Sequence, residues 1–101
     1  MIAKSQSKFS LGQIVATPGA IESLKNAGQS AAGFLNRHAH GDWGDDLDEE
    51  DRRTNDHALI DGSRLLSAYR TSLGEKLWII TEAADESGRR TATTILLPSE
   101  Y

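Results

Sequence analysis

Three groups of residues in this chain have side chains that could do chemistry: the histidines at 38, 40 and 57, the carboxylates from Asp42 to Asp61, and the Arg, Glu and Thr residues of the last third. His38-Ala39-His40-Gly41-Asp42 opens like a metal-binding signature of hydrolases, but Trp43 stands where another histidine is needed and His57 is not followed by further ligands. Two histidines two apart on a helix also diverge, because ligands on one helix face sit three or four apart. The expectation is therefore no metal and no cofactor, with His38 and His40 at a polar helix terminus whose dipole favours cations. The carboxylate run lacks any register with both the glycine and the terminal glutamate of a calcium-binding EF-hand loop. It reads either as a solvated helix face or as an acidic surface for a basic protein partner. On the second reading Asp45, Asp46, Asp48, Glu49, Glu50 and Asp51 are the contact residues, and Trp43 anchors the turn before them. Cleavage of a phosphodiester needs a base, an acid and a cation within reach of one phosphate, and Arg70, Glu82 and His38 are the combination available. Cross-strand pairs that only stabilise a sheet account for the same Arg, Glu and Thr residues.

The rest of the chain limits what those residues can be part of. At 101 residues and 11.0 kDa it is one domain, 1–101, large enough for a single core. It has no cysteine, which removes disulfides and thiolate zinc sites. No apolar run approaches the roughly 20 residues of a membrane span, and the lysines of the first eight residues have no hydrophobic signal core behind them. The expected location is the cytoplasm, with no membrane partner. A net charge of −4 argues against nucleic acid as the direct ligand. That charge is concentrated: residues 42–61 carry nine carboxylates against Arg52 and Arg53, whereas residues 62–101 balance.

The elements that must position these groups follow from pattern and punctuation. Arg64–Thr71, Lys76–Glu82 and Thr91–Leu97 are rich in β-branched, aromatic and aliphatic residues and are separated by turn chemistry, which predicts an antiparallel meander. Leu77 to Ile80 are four consecutive large apolar residues, so both faces of that strand carry apolar bulk: Leu77, Ile79 and Thr81 on one, Trp78, Ile80 and Glu82 on the other. One helix layer covers one face only, leaving the second to short loops, a ligand or a partner subunit, including a homodimer. Residues 1–8 read as frayed, and Phe9–Ala16 alternates as a first strand. Thr17-Pro18 starts a helix that ends at Gly28, and Ser30 starts a second that carries Ala31, Phe34, Leu35 and His38 at helical spacing. A third helix, about Leu47 to Ile60, carries its acidic residues at the N-terminal end. The fold class is α+β: a strand, two to three short helices packed on one face, then a three-stranded antiparallel meander.

The element order resembles small ribonucleases of the barnase and RelE-like toxin type, which cleave RNA on an open sheet face; that likeness concerns fold alone. Lys8–Ala20, Gly41-Asp42-Trp43-Gly44, Leu65–Thr71, Leu77–Glu82 and Thr93–Pro98 look similar to a family of small bacterial proteins labelled plasmid-related or named after restriction systems. This second resemblance covers Lys8 to Tyr101. It implies a mobile-element setting in a bacterial cytosol, and it assigns no activity to any residue. Two readings follow: a noncatalytic binding protein acting on a nuclease or defence complex through the acidic helix or the second sheet face, and a small toxin-like ribonuclease using the sheet face.

Overall fold

In the computed structural model, which describes residues 7–101, each helix begins where a side-chain oxygen can take the first-turn amides. Thr17 Oγ1 accepts from Ala20 N at 3.2 Å with Pro18 at the first helical position, so α1 spans Pro18–Ala27 and stops at Gly28. Ser30 Oγ accepts from Ala32 N at 3.1 Å and starts α2, Ala31–Ala39. Asp48 Oδ1 accepts from Asp51 N at 2.8 Å and starts α3, Glu49–Asp61, slightly later than the apolar pattern places it. Leu47 lies outside that helix as a buried residue.

The strands are β1 (Gln13–Ala16), β2 (Leu65–Arg70), β3 (Lys76–Thr81) and β4 (Ala92–Leu96), in the spatial order β1-β4-β3-β2. β2, β3 and β4 pair antiparallel, with Leu65 opposite Thr81 and Ile79 opposite Ile95. β1 joins β4 in parallel, Val15 beside Thr94, so the sheet is mixed rather than largely antiparallel. A parallel neighbour needs a long crossover, and residues 17–91 supply one. The first strand is also shorter than Phe9–Ala16. Gly12 has φ 64°, and a Cβ there would lie 2.5 Å from the Thr91 carbonyl, so the chain turns tightly against β4 before it can extend. Upstream of that turn Lys8 N–H donates to Ala39 O at 2.8 Å; residues 1–6 lie outside the described residues.

Period-two alternation puts Leu65, Ser67, Tyr69, Leu77, Ile79, Thr81, Thr93 and Ile95 on one face, all at most 2% exposed. Ala20, Leu24 and Phe34 from α1 and α2 cover it and complete the main core. α3 packs along β2 instead of on that face, and a second cluster of Trp43, Leu47, Ala58, Leu65 and Ala68 forms there. Trp78, Ile80 and Leu96 point to the other face. A short 3₁₀ turn at Pro98–Glu100, absent from the sequence reading, brings the Tyr101 ring to 5.8 Å from Trp78. Ile80 and Leu96 are only 8% and 5% exposed, so the apolar bulk of that face is largely covered within the chain. Glu100 fastens the turn to the start of α1: its carboxylate accepts from Thr17 Oγ1 at 2.5 Å and from Gly19 N at 3.1 Å. Among the described residues no helix is long and apolar enough to cross a membrane.

One buried group is out of keeping with this packing. Ser23 on α1 is 3% exposed, and its Oγ has no hydrogen-bond partner among the described residues. A buried hydroxyl without a partner is destabilising and alanine is the better helix former, so Ser23→Ala should raise the unfolding free energy by about 1 kcal/mol in urea denaturation. A loss of similar size would show that the hydroxyl has a partner in solution.

Candidate functional site

His38 is at the centre of the interior, not at a solvated helix end. It is 0% exposed, with Nδ1 2.5 Å from Ser67 Oγ and Nε2 2.8 Å from Thr81 Oγ1. Hydrogen counting fixes its tautomer. Thr93 Oγ1 donates to Leu11 O at 2.7 Å, so it accepts from Thr81 Oγ1, 2.7 Å away. Thr81, having used its proton, accepts from His38 Nε2–H, and Nδ1 is left to accept from the Ser67 hydroxyl. Every polar atom of the chain Ser67–His38–Thr81–Thr93–Leu11 is satisfied with a neutral imidazole. Burial, with a smaller contribution from the Arg90 cation, pushes the His38 pKa down to about 4. Phe9 and Trp43 rings lie 5.1 and 5.7 Å away and help to close the site. The Ser–His pair has the spacing of a nucleophile and its base, but Ser67 is also 0% exposed, so no substrate reaches it.

The proposed acid–base set does not converge. Arg70 pairs across from Lys76 at one end of β3, and Glu82 lies just past the other end, about 20 Å away at roughly 3.3 Å per residue. Both are on the face opposite His38. Arg70 is held by Asp46 at 3.1 Å, which also approaches Lys76 at 3.9 Å. His40 Nδ1 donates to Asn36 O at 2.7 Å, and exposed His57 pairs with Asp61 at 3.4 Å. Among the described residues no three His, Cys, Asp or Glu side chains group as metal ligands.

The acidic block divides into carboxylates the fold uses and carboxylates it leaves in water. Asp42 pairs with Arg37 at 2.7 Å, and that hydrogen bond holds its pKa below the usual carboxylate range. Arg37 also lies over the Tyr69 ring at 4.6 Å, and Tyr69 Oη donates to Asp42 O at 2.5 Å. Asp46 clamps Arg70, Asp48 caps α3, and Asp56 accepts from Trp43 Nε1 at 2.9 Å. Asp61 accepts from Ser63 N at 2.8 Å. Asp45, Glu50 and Asp51 are exposed, and their carboxylates make no hydrogen bond or ion pair with a described residue. Glu49 reaches only exposed Arg53, at 3.8 Å. Trp43, expected to anchor a contact turn, is 3% exposed and belongs to the core.

What Trp43 and its neighbours do is close the outer edge of β2. Asn55 takes both backbone groups of Leu66, donating from Nδ2 to Leu66 O at 2.6 Å and accepting from Leu66 N at 3.0 Å. Ala68 N donates to Trp43 O at 3.0 Å, and Asp46 N donates to Ala68 O at 3.4 Å. Gly44 permits this approach, since a Cβ at its φ of 91° would overlap the Ala68 carbonyl. The residue that the sequence reading passed over is Arg90. It is 6% exposed, and its guanidinium donates to Ser63 O at 2.8 Å and to Glu82 O and Ala58 O at 3.0 Å each.

The chain matches no protein-family model, no curated protein and no solved structure.

Proposed function

We propose that this is a noncatalytic binding protein that meets a basic protein surface with the acidic start of α3, in the bacterial mobile-element setting implied by its resemblance to plasmid-related proteins. The observation that carries this reading is the division of the carboxylates. Asp45, Glu49, Glu50 and Asp51 stand in water at one end of the molecule without being needed to cap or clamp it, while the groups suited to acid–base chemistry are buried or dispersed. Attraction between such a surface and a basic partner acts mainly on the rate of encounter and is screened over roughly 8–10 Å at physiological salt. A nuclease or other nucleic-acid-binding protein presents the complementary surface.

The test uses Asp48→Asn, Glu49→Gln and Asp51→Asn together. Asparagine is as good a helix cap as aspartate, so the charge changes while the fold stays. Partners from a lysate of the native bacterial host are captured on the immobilised chain and identified, and their association is followed across a salt series. The expected result is a basic partner whose association slows several-fold in the triple variant and at raised salt, with dissociation little changed. A partner that binds both proteins equally fast at every salt concentration removes the acidic surface from the function. RNA cleavage by the purified protein, lost on Arg70→Ala, selects the ribonuclease reading instead.

A further inference from the structure

The two edges of the sheet are treated differently. The outward backbone groups of β2 at Leu66 and Ala68 are all taken by Asn55, Trp43 and Asp46. On β1, Gln13 N and Thr17 N donate inward to Thr91 O and Ile95 O, at 3.0 Å each. Alternation then turns the N–H and C=O of Ile14 and Ala16 away from the sheet, and no described residue bonds them. Ile14 and Val15 are each 44% exposed. Edge strands are ordinarily blunted by charge, proline or a covering segment, yet residues 9–21 contain no charged side chain.

We propose that this edge pairs with the same edge of a second copy, antiparallel about a two-fold axis through Val15. In that register Ile14 lies opposite Ala16 of the other copy and Ala16 opposite Ile14, so all the outward groups are used in four hydrogen bonds. Val15 then faces its own counterpart as a non-hydrogen-bonded pair. The register is selected locally. Centring on Ile14 would set Ala16 against Gly12, whose φ of 64° takes it out of the strand, and Pro18 has no N–H to extend the ladder. Because the other edge is capped, the assembly closes as a dimer and does not grow into a filament.

Charge also favours a copy as the occupant. The acidic segment lies on the β2 side, four strands from β1, so pairing through β1 places the two acidic ends at opposite extremes of an eight-stranded sheet. At about 4.8 Å per strand they are well over 20 Å apart, beyond the roughly 8–10 Å over which salt lets them repel. A strongly charged foreign strand finds no complementary side chain along residues 9–21. This assembly is independent of the acidic surface and leaves it free for a partner.

The chain has no cysteine, so a single introduced one can form a disulfide only between copies. Val15→Cys places the two Cβ atoms within reach of a bond across the axis. It should cross-link at least tenfold faster under air oxidation than Ile60→Cys, a control position that is 84% exposed. Sedimentation of the parent protein should show a concentration-dependent monomer–dimer equilibrium, and Val15→Lys, which sets two cations on the axis, should weaken it at least tenfold. If Val15→Lys fails to fold, as judged by circular dichroism, the cross-linking rate decides. A parent protein that stays monomeric up to millimolar concentration, a dimer undiminished by Val15→Lys, or equal cross-linking at the two cysteine positions overturns the proposal, and capture of a strand from another protein at this edge does so as well.

Discussion

Replacing Arg90 with methionine should lower the unfolding free energy by about 3–5 kcal/mol, because it withdraws the donors from three carbonyls while keeping most of the side-chain stem. Ala58 O belongs to the last turn of α3, Ser63 O to the link into β2, and Glu82 O to the end of β3. One guanidinium therefore ties a helix terminus, a connection and a strand end together, and its charge sits where the α3 dipole is negative. Its carbon atom is also 5.7 Å from the centre of the Phe9 ring, which in turn packs on His38. No described carboxylate is within ion-pair distance of it, and burial lowers its pKa from the ordinary arginine value. Lysine should recover less than half of the loss, since an ammonium on a single stem lacks the planar fork that reaches several acceptors at once. Urea unfolding of the parent, Arg90→Met and Arg90→Lys measures this. A methionine variant within 1 kcal/mol of the parent would mean that water replaces the guanidinium without penalty.

Nothing local in the sequence marks Arg90, because its partners come from three separate elements and appear only when the chain is folded. The first two helix starts were legible for the opposite reason: Thr17 and Ser30 act on amides two or three residues away. The antiparallel meander was legible from alternation and turns, whereas the direction of β1 was not, since nothing in Gln13–Ala16 encodes which way its distant neighbour runs. His38 falls between these cases. Its spacing from Ala31, Phe34 and Leu35 put it on the buried stripe of α2, and its chemistry suggested a helix end. The missing signal was on the strands: the inward positions of β2, β3 and β4 carry Ser67, Thr81 and Thr93 among aliphatic and aromatic residues. Hydroxyls recurring on an apolar face imply a buried polar partner, and His38 is the polar residue on the covering helix. The acidic run was the least legible, because Asp42, Asp46 and Asp56 bind side chains of other elements, Arg37, Arg70 and Trp43, whose positions depend on the tertiary fold.

Acid should destabilise this protein well before its carboxylates titrate. With a pKa pushed down to about 4 against an ordinary value of 6.5, His38 stays neutral in the folded chain while the unfolded chain takes up a proton. Stability is therefore intact above pH 6.5 and falls by about 1.4 kcal/mol per pH unit on the way down to about pH 4, which amounts to roughly 2 kcal/mol by pH 5. Protonating Nδ1 in place would turn the Ser67 hydroxyl away from it and set a second cation near Arg90, which is why the folded state resists. Hydrogen bonds from Arg37, Ser63, Ser87 and Thr17 hold Asp42, Asp61, Asp85 and Glu100 respectively below the usual carboxylate range. Their stabilisation is also lost as pH falls, but mainly below about pH 4.5, where the unfolded carboxyls begin to protonate. The interval from pH 7.5 to 5 thus separates His38 from those carboxylates. His38→Gln, which keeps polar atoms near Ser67 and Thr81 but cannot titrate, should be less stable than the parent at pH 7.5 and should lose little more by pH 5. Urea unfolding at several pH values across that interval compares the two proteins. Equal losses in the parent and His38→Gln would place the titrating group elsewhere and leave the neutral, hydrogen-bonded imidazole without support.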